Sequence, residues 1–374
     1  MKVIQLITAL IITLFTQQLL QAQHTEYYRH LVFRESPYAD LRGIHQIDKA
    51  KAEAEAHYRF VYDEEEQLIE VSHRIGDDVI ANNNNWDSFM WFSPKVTIQY
   101  TSGEEVREYY DHLGQQIAAH GNVYRAVFKK DPQGRRTAMR FYDEKGQPSE
   151  SEWGIHRYQW TQHTGESVME ERFDLNGEPK TIRPEFTFYT VQLVYGDDDY
   201  LDFIYHLDEN GELINNTMKA GLDRIVYDNE GNFSRWMVFD KDRKPVEGNA
   251  PGFAIGEHLY DCRGNKVGLR GFDVEGNLKA FPSGGARVVN TYDRFNNQTE
   301  VKVYDLAGAL LQRVGYEYSA DGRRLEWIRF LDAEGNLVDD PRSNLAAIHL
   351  TYSEDGRVAS RVRYNAELQE IKEI

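Results

Sequence analysis

Residues 221–240 read "GLDRIVYDNEGNFSRWMVFD". Tyr227 stands directly before Asp228, and Phe239, 12 residues on, stands directly before Asp240. The same frame returns with Tyr260–Asp261 and Phe272–Asp273, then with Tyr292–Asp293 and Tyr304–Asp305, at steps of 33 and 32 residues. It reaches back to Tyr195 with Leu207 and forward to Tyr318 with Phe330 and Tyr352 with Tyr364, each pair 12 apart. The tetrapeptide D-x-x-G occurs eleven times, ten of them on this beat; the one off it begins at Asp40. Asp at the first position of a type I turn accepts a backbone N–H two residues on. Gly at the fourth tolerates the left-handed conformation that closes a hairpin with a bulge. "SADG" and "SEDG" replace Asp by Ser, and "DRFN" replaces Gly by Asn, the next residue most tolerant of positive φ.

The segments between the turns alternate as strands do. After Gly356, Val358, Ser360, Val362 and Tyr364 share one face, while Ala359, Arg361 and Arg363 share the other. Segments entering the first beat, "FTFYTVQLVYG" and "AAIHLTYS", are more continuously apolar and are expected to sit deeper. One hairpin is marginal in water, so the units must pair with one another. The expected fold is all-β: tandem β-hairpin repeats forming an extended, twisted antiparallel sheet or spiral. The alternative is a β-propeller, with four short strands per unit.

"IVYDNEGNF", "HLYDCRGNKV" and "YEYSADGRRLEWIRF" resemble the YD repeats of the RHS-type family, motif by motif over about residues 58–374. The resemblance implies a long spiralling antiparallel sheet. The alternating spacing of 12 and about 20 differs from that family's more uniform repeat. No toxin-like or protease-like segment is recognisable toward "AELQEIKEI", so cargo encapsulation is not expected.

Composition narrows the function classes. The net charge is −18, from 43 basic and 61 acidic side chains, which repels phosphate backbones and argues against a nucleic-acid partner. The N-terminus, "MKVIQLITALIITLFTQQLLQAQ", has Lys2 before a 14-residue, mostly apolar run, too short for an ordinary membrane span. It reads as a signal peptide over 1–22, followed by an N-terminal arm or cap over 23–57 and a repeat domain over 58–374. The product is expected to be periplasmic or extracellular, with no membrane span after cleavage. Within the arm, "DKAKAEAEAHYRF" carries helix formers, yet Ala50, Ala52, Ala54 and Ala56 keep a strand period, and a strand or extended arm is expected. The single cysteine, Cys262, excludes an intrachain disulfide and falls at a turn position that other units fill with Asn or Arg.

No metalloprotease, phosphate-loop, nucleophile-elbow or dinucleotide motif is present, and no cofactor or metal is expected. Asp197, Asp198 and Asp199 read as a solvated turn. The one segment that breaks the repeat, "GDDVIANNNNWDSFMWFSPK", supplies the candidate binding residues Trp86, Phe89, Trp91 and Phe92. Such aromatics beside amides stack on a sugar or anchor a protein, or else cap the first repeat. The expected function is an exported non-enzymatic repeat scaffold that binds a protein or glycan at the cell envelope. Two alternatives stand beside it: a carboxylate-based glycan hydrolase or lyase, signalled by two acids converging beside aromatics, and a structural protein that self-associates through sheet edges.

Overall fold

The computed structural model describes residues 24–81, 93–162 and 167–371. Among these residues, twenty-five strands form one antiparallel sheet. The strand Gly43–Ile47 pairs with His24–Leu31, whose other edge pairs with Ala56–Tyr62. From there long strands pair in sequence order through Ala347–Tyr352 and Val358–Tyr364. The two-residue strands Asp78–Val79, Pro179–Lys180 and Leu278–Lys279 add short flaps to this ladder. A propeller would break the ladder into separate blades. The unbroken pairing excludes that alternative.

The turns follow the expected chemistry. Asp228 Oδ1 accepts from the backbone N–H of Glu230 at 3.0 Å and of Asn232 at 2.9 Å, and Gly231 N donates to the Asp228 carbonyl at 3.0 Å. Gly231 has φ +85°, and Asn296 of "DRFN" has φ +74°. The off-beat site differs: a Cβ on Gly43 would stand 2.1 Å from Tyr28 Cγ. That glycine admits the Tyr28 ring and closes no D-x-x-G turn.

The sheet winds back onto itself. The Asn232 side chain meets His45 at 2.8 Å, and Arg263 pairs with Glu55. Ala56 N donates to the Phe295 carbonyl at 2.9 Å, Arg323 meets Asp78 at 3.0 Å, and His112 meets the Gly356 carbonyl at 3.2 Å. Later turns touch later points of the first lap in the same order. A spiral produces that correspondence, and a flat sheet does not.

One expectation fails in the arm. Lys49–Ala52 forms a single helical turn, which we name α1, in place of a strand. Asp48 Oδ1 caps it by accepting from Lys51 N at 2.8 Å, so the helix formers take precedence over the alternating alanines until Ala56. The strand period is then honoured from Ala56 onward.

The core lies inside the first lap. Val96, Ile98, Ala126, Phe128, Met139, Phe141, Val191 and Leu193, at alternate strand positions, are buried against one another. Farther along, Gln298–Tyr304 is half-buried on both faces. What fills the centre of the lap is the connection between the first two strands, residues 32–42. There Arg34, Glu35, Ser36 and Leu41 are all buried.

Candidate functional site

The central segment reads "VFRESPYADLR", a polar composition that ordinarily marks a surface loop. Here the surrounding sheet satisfies it. Ser36 Oγ donates to Glu170, whose carboxylate also accepts from Trp160 Nε1 at 2.8 Å and Arg172 Nη1 at 2.7 Å. Arg136 Nη1 donates to the Tyr38 carbonyl at 2.6 Å, and Tyr227 donates its hydroxyl to the Phe33 carbonyl at 3.0 Å. Phe33 stacks on Phe233 with centroids 4.4 Å apart. The strands thus wrap an axle, and the axle is pinned by partners drawn from much of the lap.

Two cavities flank it. The larger, about 280 Å³, lies against Val32, Arg34, Ser36 and Asp40 of the axle and against Tyr195, Tyr200 and Tyr227 of the sheet. Arg42 sits over the Tyr200 ring at 4.6 Å and donates to the Asp198 carbonyl at 2.9 Å. The smaller, about 220 Å³, is lined by Phe33, Glu35, Arg183, Asp223, Phe233 and Trp236. Arg183 Nη2 approaches Glu35 Oε1 at 3.1 Å. Both Asp223 oxygens face Asn249 Nδ2 at 3.1 Å. Burial pushes the Asp223 carboxyl up to about 8, with the neighbouring Glu35 charge adding to the effect. Burial raises Glu35 as well.

Beside Arg34 and Asp40 of the axle lies a cationic network. Glu105 binds Arg107 at 2.6 Å, Lys130 at 2.9 Å and Arg136 at 2.9 Å, while Arg136 also reaches Asp40 at 2.6 Å. Arg107 and Arg136 both lie 4.6 Å from the Phe128 ring centre. Arg34 lies close to Arg107 and Arg136, and burial together with those charges lowers its guanidinium to about 9.

Trp86, Phe89, Trp91 and Phe92 lie outside the described residues. Cys262 is exposed in its turn. Asp197, Asp198 and Asp199 are exposed too, and no metal-binding group of three or more His, Cys, Asp or Glu exists among the described residues. Sequence reasoning missed the axle altogether. Its one available signal was the D-x-x-G at Asp40 that fell off the beat. No helix among the described residues is long and apolar enough to cross a membrane.

No family model and no curated protein matches the chain. Among solved structures it overlaps a TcdB2-TccC3-TEV chain at 12% identity and TM-score 0.22, over 84% of this chain and 17% of that one. It overlaps the Photorhabdus luminescens Tc holotoxin pore at 12% and 0.25, over 84% and 19%. A porin-like protein from Bacteroides vulgatus matches at 10% and 0.18, over 80% and 94%. The chain therefore spans less than a fifth of the two toxin chains, and superpositions this loose carry no argument about its role.

Proposed function

We propose that the chain is an exported, non-enzymatic repeat scaffold that binds a glycan at the cell envelope, holding the end of a sugar chain in the cavity of about 280 Å³ beside the axle. The observation that carries this reading is the make-up of that cavity. Tyrosine and aliphatic walls alternate with donors and acceptors of both signs, at Arg34, Ser36, Asp40 and Arg42. A sugar ring has apolar faces and a rim of hydroxyls, and asks for that mixture. The volume lies near the lower end of ligand pockets, roughly 300–1,000 Å³, and suits one terminal residue. Trp86, Phe89, Trp91 and Phe92 remain the stacking candidates that the sequence offers, and the test below includes them.

A second reading, a carboxylate hydrolase, has one observation in its favour. Glu35 and Asp223 line the same small cavity beside stacked Phe33 and Phe233. Two features weigh against it. Asp223 is occupied by Asn249 and Glu35 by Arg183. A cavity of about 220 Å³ cannot seat sugars on both sides of a scissile bond.

The test is a glycan array probed with the purified chain, in parallel with Tyr200→Ala, Asp223→Asn and the double change Trp86→Ala/Trp91→Ala. Saturable binding to glycans sharing a terminal residue, lost in Tyr200→Ala and kept in Asp223→Asn, is expected. The double change should weaken glycan binding as well. Absence of any glycan binding by a folded wild-type chain defeats the proposal. Product release that stops in Asp223→Asn would replace it with the hydrolase.

A further inference from the structure

Five arginines are buried among the described residues: Arg34, Arg74, Arg107, Arg136 and Arg172. Four have a carboxylate within ion-pair distance. Arg74 has Glu70 at 3.4 Å, Arg107 has Glu105 at 2.6 Å, Arg136 has Asp40 at 2.6 Å, and Arg172 has Glu170 at 2.7 Å. Arg34 has none among the described residues, although only 4% of it is exposed. Its Nη1 donates to the Ala39 carbonyl at 3.1 Å, and its Nε is enclosed with no acceptor. A buried guanidinium without a counter-ion is strongly unfavourable, and an ordinary core replaces it or pairs it.

Arg34 also lines the 280 Å³ cavity. We propose that this cavity takes a carboxylate-bearing sugar, a hexuronate at a chain end, whose carboxylate is the missing partner of Arg34. The inference rests on the glycan reading of the same cavity and specifies its ligand. The charge balance supports it. The neighbouring network holds Arg107, Lys130 and Arg136 against Glu105 and Asp40, so with Arg34 four cations face two carboxylates. Of the other acids on the cavity, Glu35 is engaged by Arg183, and Asp199 lies on the exposed turn at the rim. A planar carboxylate matches the fork of a guanidinium through two parallel bonds, which adds direction to charge. Ser36, Tyr195 and Tyr227 stand on the same cavity, where the ring and its hydroxyls would lie. Arg42, over Tyr200, adds positive charge beside it.

The experiment is titration calorimetry of the full chain with sodium D-glucuronate, D-glucose and sodium acetate, repeated on Arg34→Gln and Arg34→Lys. Wild type should bind glucuronate at least tenfold more tightly than glucose or acetate. Arg34→Gln should lose at least tenfold for glucuronate and markedly less for glucose, and Arg34→Lys should recover part of the glucuronate loss. Without ligand, Arg34→Gln should melt at a higher temperature, because it removes a lone buried charge. Equal binding of glucose and glucuronate by wild type overturns the role of Arg34 and leaves the glycan reading standing. Acetate binding as tightly as glucuronate overturns the sugar and leaves the anion site. If no probe binds, the uronate assignment falls, and the glycan array alone decides the glycan reading. Should Arg34→Gln not fold, the wild-type preference among the three probes decides alone.

Discussion

Glu55 and Arg263, 208 residues apart in the chain, form an ion pair between two laps of one sheet. The other Glu55 oxygen accepts from Arg29 Nη2 at 2.8 Å. One carboxylate on the first lap therefore holds a guanidinium of its own lap and one of the next. The backbone bond from Ala56 to Phe295 lies one residue away.

Removing Glu55 should cost more than removing Arg263. Glu55→Ala leaves two partly buried guanidiniums without their carboxylate, Arg263 keeping only the Arg294 carbonyl at 3.2 Å and the Asp293 carbonyl at 3.5 Å, whereas Arg263→Ala leaves Glu55 still paired with Arg29. We expect Glu55→Ala to cost about 2 kcal/mol and Arg263→Ala about 1 kcal/mol. Urea unfolding of the two single variants and the double measures this. A coupling energy of zero in that cycle would mean that the laps are not joined here.

The turns yield a graded prediction. Gly276 and Gly231 both sit at fourth positions with left-handed backbone, φ +83° and +85°. A Cβ on Gly276 meets nothing within 4 Å, while one on Gly231 would stand 2.4 Å from Tyr200 Oη and 2.8 Å from Ile44 Cγ2. Gly276→Ala should cost only the backbone term, about 1–2 kcal/mol, and Gly276→Asn less. Gly231→Ala should cost more and also weaken ligand binding, because Tyr200 lines the larger cavity. Equal losses of stability, with binding intact in both, would show that the turn and the cavity are independent.

That contrast marks what the sequence makes legible. Turn chemistry is local: an Asp carboxylate and a permissive Gly act within five residues, so the period and strand ends can be read from spacing. The repeat by itself leaves an extended sheet and a spiral both open, and only the resemblance to YD repeats points to the winding. The lap contacts are not legible, because Glu55, Asp78 and His45 carry nothing in their own neighbourhoods that points to Arg263, Arg323 or Asn232. The axle is hidden for a stronger reason. Its polar residues look like a solvated loop, and only partners such as Glu170, Arg136 and Tyr227 turn them into an interior. The helical turn at Lys49 departs from the strand period because alternating alanines carry two periods at once, and the Asp48 cap decides between them.

His73 gives an acid-side prediction. It is buried, stacks on Tyr58 at 4.7 Å, and burial with nearby His57 and His30 pushes its imidazole down to about 3. Its folded value lies below its unfolded one, so the unfolded chain binds the extra proton. Stability should fall as pH drops from about 6.5 toward 3. His73→Phe keeps the stack and should reduce that slope, leaving the parts owed to His57, His120 and His206, which burial also lowers. Thermal midpoints between pH 4 and 7 measure it; parallel curves for variant and wild type would contradict the assignment.

Asp223 acts with the opposite sign. Its folded carboxyl titrates near 8, above an unfolded value near 3.8, so the native state holds a proton that the unfolded state has lost. The protonated acid costs little inside the cavity. Stability from this group is complete below about pH 4 and declines as pH rises through 8, by an amount on the order of a few kcal/mol. Asp223→Asn keeps a side-chain oxygen for Asn249 and cannot ionise, so it should match wild type near pH 4 and exceed it above pH 8. The comparison uses chemical denaturation at pH 4.5, 7 and 9. A variant no more stable than wild type at pH 9 would place the ionised Asp223 in a better-solvated or better-paired setting than a cavity lined by Phe33, Phe233 and Trp236 provides.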